Sequence, residues 1–145
     1  MSAEKYLAIL QDKVGVAVFG TVSEDQKPDS RYINIGVAND QGVFFMTSPT
    51  SKFYSQLMNH PFVSITGMAK ADGEMEVIRI KGEVRVLGQE KLEEVLKDNP
   101  YVKDVYPDEE KRKDAQVFQV FKGTGNYMHL QKRFNEDFTF ESTNG

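Results

Sequence analysis

Residues 43–67, VFFMTSPTSKFYSQLMNHPFVSITG, change character twice. Val43 to Thr47 is a short apolar run, read as a buried strand. The chain then passes through Ser48, Pro49, Thr50, Ser51 and Lys52 and takes up a helical pattern to about Asn59. Phe53 and Leu57 lie one turn apart in that helix. Pro61 ends it, because proline offers no amide hydrogen and disfavours α geometry in the residue before it. Phe62 to Ala69 returns to strand. The corner between strand and helix has two readings. Its serines and threonines can be ordinary caps, with proline at home in a first turn. They can also hold an anion, since a helix start presents free N–H groups and partial positive charge. Thr47, Ser48, Thr50 and Ser51 would add hydroxyls, and Lys52 a full charge.

Upstream, residues 3–13 have helical spacing with Tyr6, Leu7, Ile9 and Leu10 on one side. Residues 14–22, VGVAVFGTV, read as a strand buried on both faces. SEDQKPD (23–29) is a turn cluster. Residues 30–38, SRYINIGVA, alternate as a strand and are joined to 43–47 by the short loop NDQG. Hairpin neighbours of this kind bring the start of one strand to the end of the next. Arg31 is therefore expected near Thr47 and Lys52, which favours the anion reading.

Downstream, KADG (70–73) is a hairpin loop leading into a long strand, 74–87. Ile78, Ile80, Val84 and Val86 share one face of it with Gly82; Arg79, Lys81, Glu83 and Arg85 share the other. A helix is expected over 89–98, with its charged residues and those up to 114 as solvated faces. Strands at 117–121 and 127–130 would flank a GTG turn at 123–125. Residues 134–145 read as a polar C-terminal tail after a single domain over 1–133. Six or seven short strands with hairpin spacing and few helices predict a mainly β, small antiparallel barrel.

The totals narrow the function. The chain has 145 residues, 18 basic against 22 acidic, and a formal charge of −4. That balance argues against a nucleic-acid partner. There is no cysteine, so disulfides, thiolate nucleophiles and cysteine–zinc sites are excluded. No signal peptide or membrane-spanning run is read, and a cytoplasmic protein is expected. The two histidines, His60 and His129, have no ligand-spaced companions, so no metal site is predicted.

RYINIG (31–36), the 43–67 stretch and IRIKGEVRVL (78–87) together resemble the FMN-binding split-barrel family of pyridoxamine 5'-phosphate oxidase-like proteins. The first resembles the family's arginine-led strand. The second resembles its strand–Thr–x–x–x–Ser–Lys–helix–Asn–x–Pro–x–Val order, and the third its long strand with a central glycine. The similarity runs from about residue 5 to 130. It is nearest to the short single-domain members called pyridoxamine-oxidase-related or nitroimidazole-resistance-like.

The resemblance implies a six- to seven-stranded antiparallel split barrel. It also implies a homodimer with FMN at the interface and an oxidoreductase acting on a small molecule, with NAD(P)H a candidate reductant. Arg31, Thr47, Ser51 and Lys52 would hold the ribityl phosphate. Tyr32, Ile33, Asn34, Met46 and Thr47 would line the flavin, and Arg79 would reach it from the partner chain. A cross-strand ion pair is the plainer role for Arg79. The flavin would do the redox chemistry, so no catalytic side chain is named. The family's lysine at the end of the arginine strand is replaced by Gly36, its Arg-Lys pair by Lys52 and Phe53, and the chain has no Trp. Vitamin B6 oxidation is therefore not expected. The alternatives are a non-catalytic flavin or haem binder, with His129 a candidate axial ligand, and a cofactor-free dimeric barrel.

Overall fold

The structure is a computed structural model and describes residues 3–88 and 114–142. The expected helix over 89–98 and the charge run after it lie outside the described residues. Helix α1 (Ala3–Ile9) continues as a π-helical turn over Leu10–Val14. Next come β1 (Val16–Val22), β2 (Pro28–Asn34), β3 (Val37–Asn39) and β4 (Gly42–Thr47). Helix α2 (Lys52–Asn59) leads to β5 (Phe62–Ala71), β6 (Glu74–Gly88), β7 (Gln116–His129) and β8 (Phe134–Glu141).

All eight strands form one antiparallel sheet, in the order β2-β1-β5-β6-β7-β4-β3, with β8 also paired to β7. The sheet curls into the expected split barrel. β2 and β3 sit at opposite ends of the pairing order although two residues separate them in the chain. The hinge is local: the Ile35 amide donates to Gly15 O at 2.8 Å, and the Gly36 amide donates to Phe44 O at 2.8 Å. The chain thus leaves one wall of the barrel at Ile35 and joins the other at Gly36. The single strand expected over 30–38 is therefore two strands. Arg31 pairs with Phe19 of β1, not with β4.

Two further expectations change. β7 is continuous from 116 to 129, so the GTG stretch is strand and not a turn. Its glycines serve close packing instead. A Cβ on Gly123 would stand 2.2 Å from Lys81 O, and one on Gly125 would stand 2.3 Å from the Phe138 ring. Residues 134–141, expected in the polar tail, form β8, which pairs with 122–129 while β4 pairs with 116–120 on the same edge of β7. Phe138 and Phe140 of β8 are buried, so the alternation that reads as a tail is a strand with one apolar face.

The β5–β6 hairpin closes through Asp72 and Gly73, both at positive φ (52° and 77°), as a two-residue primed turn requires. Inside the barrel Phe45 stacks on Phe118 at 5.6 Å and on Phe53 at 5.5 Å, and meets Phe19 edge-on at 4.9 Å. Burying each such ring contributes about 1.5–3 kcal/mol. Tyr6 of α1 stacks on Tyr127 at 4.6 Å and tilts against Phe138, which plugs the other part of the barrel.

Candidate functional site

Three polar side chains and one backbone carbonyl converge on Arg31. Its Nη1 donates to Phe19 O at 3.1 Å and to Thr21 Oγ1 at 2.7 Å. Its Nη2 donates to Asp29 Oδ2 at 3.1 Å and to Gln56 Oε1 at 2.9 Å. Gln56 Nε2 in turn donates to Asp29 Oδ2 at 3.0 Å, and Thr21 donates to Gln56 Oε1. The guanidinium lies 4.6 Å above the Phe53 ring. Burial pulls the Arg31 pKa below its ordinary value, against the opposing pull of Asp29. Asp29 is held below the usual carboxylate range, first by the hydrogen bond from Gln56, then by the Ser30 amide, and by the charges of Arg31 and Lys52.

Arg31 does therefore approach the corner, but by a different route. It reaches the inner face of α2 at Phe53 and Gln56 across the sheet from β2. The acidic partner two residues before it, Asp29, shares its strand face. That signal was present in the sequence, hidden by the reading of 23–29 as a turn. Thr21 and Gln56, also missed, are buried polar residues on apolar elements.

At the corner itself, Ser51 is the N-cap of α2. Its Oγ accepts from the Tyr54 amide at 3.0 Å and donates to Ser48 O at 2.9 Å. Thr47 is buried and its hydroxyl lies 2.8 Å from Ser51 Oγ. Ser48 and Thr50 pair their hydroxyls at 2.9 Å. The capping reading thus accounts for Ser51. Lys52, in the first turn, is exposed and makes no ion pair among the described residues.

The remaining expected residues lie elsewhere. Ile33 packs against the barrel core. Met46 is buried in a small separate cluster with Ala115 and Val117. Tyr32 (76% exposed) and Asn34 point out of the opposite sheet face, in register with Val18 and Val16. Arg79 is on that outer face too, because Tyr32, Val18, Thr66 and Arg79 are consecutive cross-strand partners. Within one chain, Arg31 and Arg79 stand on opposite sides of the sheet.

His129 is buried. Its Nδ1 accepts from the Lys132 amide at 3.2 Å and its Nε2 faces Glu74 Oε2 at 3.4 Å. Both ring nitrogens are engaged, so the axial-ligand role is not supported. Nearby, Tyr127 donates to Glu76 Oε2 at 2.7 Å and Lys13 to Glu76 Oε1 at 2.8 Å.

Residues 2–130 match the family described as pyridoxamine 5'-phosphate oxidase, and the chain belongs to that family. No curated protein matches it. Among solved structures it is similar to a NimC/NimA family protein from Clostridium acetobutylicum. That likeness has 25% identity and a TM-score of 0.76, over 97% of this chain and 95% of the other. It is also similar to a haem-binding protein from Mycobacterium smegmatis (14% identity, TM-score 0.75), covering 96% of this chain and 58% of that one. A third is a pyridoxamine 5'-phosphate oxidase-related, FMN-binding protein from Nostoc punctiforme (9% identity, TM-score 0.58), covering 95% and 91%. The last two likenesses concern the fold alone. No helix among the described residues is long and apolar enough to cross a membrane.

Proposed function

We propose that the chain binds FMN between two copies of itself and acts as an oxidoreductase on a small organic acceptor. The observation that carries this reading is the corner of α2. An exposed Lys52, with no ion pair among the described residues, sits at a helix start beside the hydroxyls of Ser48, Thr50 and Ser51, in a chain of this family. The exposed half of the corner fits a phosphate. The buried half is engaged, since both terminal nitrogens of Arg31 are saturated. A phosphate reaches Arg31 only by displacing Asp29, whose side chain is 45% exposed.

A second copy supplies what one chain lacks. The outer face exposes Val16, Tyr32, Phe62 and Met68, apolar side chains suited to burial against a partner. Packing by that face would carry the partner's Arg79 toward the flavin, with Tyr32 and Asn34 beside it. A bound flavin supplies hydride or electron transfer at its ring. The protein's part is to hold the phosphate, orient the ring and exclude water.

The test is the absorbance spectrum of the purified protein, followed by addition of NADH or NADPH. A yellow protein that bleaches and regains its colour with an added acceptor supports the enzyme. A flavin that stays oxidised supports a non-catalytic binder instead. The fold likeness to a haem-binding protein favours haem as the second reading, but His129 is occupied, leaving His60 as its histidine ligand. A Soret band after haem addition, lost in His60→Ala, would support it.

A further inference from the structure

We propose that the outer face of β5 to β8 binds an organic anion of the aromatic carboxylate class, with Lys81 and Arg79 holding its charged end. The inference rests on the flavin reading only in calling this anion the substrate.

The register lays the face out in three rows. Ser64, Lys81, Thr124 and Thr139 are successive cross-strand partners. Thr66, Arg79, Asn126 and Asp137 form the next row, and Met68, Val77, Met128 and Asn135 the third. Side chains on one face recur every second residue, so adjacent rows are about 6.6 Å apart. The first row is hydroxyls around a cation. The second adds another cation and an amide. The third is apolar over three strands. A groove of about 850 Å³ runs over the first two rows and reaches Met128 and Asn135 of the third, lined by Ser64, Thr66, Arg79, Lys81, Asn126 and Met128 among others. That volume suits a small organic ligand.

The charges are the unusual part. A cation on an exposed strand is ordinarily quieted by an acid directly across from it. Lys81 faces Ser64 and Thr124 instead, and Arg79 faces Thr66 and Asn126. Neither cation has a carboxylate partner among the described residues, although the chain carries more acids than bases. The one acid in these rows, Asp137, lies beyond Asn126 and accepts its Nδ2 at 2.8 Å. Two like charges two residues apart, with hydroxyl donors on either side, are complementary to an anion. Met128, one row on and in the same groove, is complementary to a ring. Its span from Arg79 matches a ring bearing one carboxylate, and methionine adapts to flat apolar partners.

The experiment titrates the full-length purified protein with benzoate and with benzamide, its uncharged counterpart, while the flavin content is read from absorbance. Benzoate should bind at least about tenfold more tightly than benzamide, as expected for a charge-assisted hydrogen bond. Lys81→Met should remove that preference and leave both the melting temperature and the flavin content unchanged. Lys70→Met, an exposed lysine near the hairpin end of the same face, should change nothing. Equal affinity for the two probes, or an unaltered preference in Lys81→Met, overturns the proposal. Loss of flavin from Lys81→Met overturns it too, by giving the cation to the cofactor's phosphate. A colourless wild-type protein that still prefers benzoate supports the anion site and removes only the flavin reading.

Discussion

Glu76 shows how one residue ties several elements together. Burial pushes its pKa up, but the hydrogen bonds from Lys13 and Tyr127 and the charges of Lys13 and His129 outweigh that, so it sits below its ordinary value. Burial, and then the bond to Glu76, push the Tyr127 hydroxyl well up. A carboxylate with a depressed folded pKa contributes stability that is present above its unfolded value and lost as pH falls through the folded one. Glu76→Gln should therefore destabilise the protein by about 1–2 kcal/mol at neutral pH. The gap between wild type and variant should close in acid, as denaturant melts across the acidic range would read. Phe45 is the other residue on which much depends. It is fully buried and touches three rings. Phe45→Ala should cost about 3–5 kcal/mol, measured by denaturant unfolding. Arg31 is legible as a cation near the helix start and Asp29 as its neighbour two residues back, but the full set of partners is not. Alternation places a side chain on a face, whereas Asp29, Thr21 and Gln56 meet only once three elements have packed.

Among the elements, strands with a clean period of two were readable, and so was helix α2 with its stop at Pro61. Two kinds of feature were not. The break at Ile35 and Gly36 leaves no mark in the sequence, because Ile33, Ile35 and Val37 keep a period of two across it while the hydrogen-bonding partner changes from Gly15 to Phe44. The GTG segment imitates a turn by composition, yet each glycine is there because another chain segment comes too close for a Cβ. Gly125→Ala tests this. The new methyl would have to displace the Phe138 ring, which packs on Tyr6, so the variant should unfold at clearly lower denaturant than wild type. Gly73→Ala, with open space around its Cβ, should lose stability only through its positive φ. β8 reads as a tail because its outward residues are polar, and its inward Phe138 and Phe140 are too few to stand out.

At the scale of the whole molecule, the split barrel presents two different surfaces. One is the corner where Lys52 and Arg31 flank Asp29. The other is the open sheet face carrying Tyr32, Arg79 and Lys81. Apart from Ile33 and Met46, which pack inside, the expected site residues are divided between them, and pairing two copies is the arrangement that would reunite them. The sequence led to both surfaces through family order and spacing; alternation alone puts Tyr32 and Asn34 opposite Arg31, whereas Arg79 joins their face only through the cross-strand register. The central claim is that the corner at Lys52 clasps the phosphate of a flavin. Fluorescence titration of the cofactor-free protein with FMN and with riboflavin, which lacks the phosphate, tests it most directly. FMN should bind at least about a hundredfold more tightly, the worth of two charge-assisted hydrogen bonds, and Lys52→Ala should erase most of that difference. Riboflavin binding as tightly as FMN, or a preference untouched in Lys52→Ala, would contradict it.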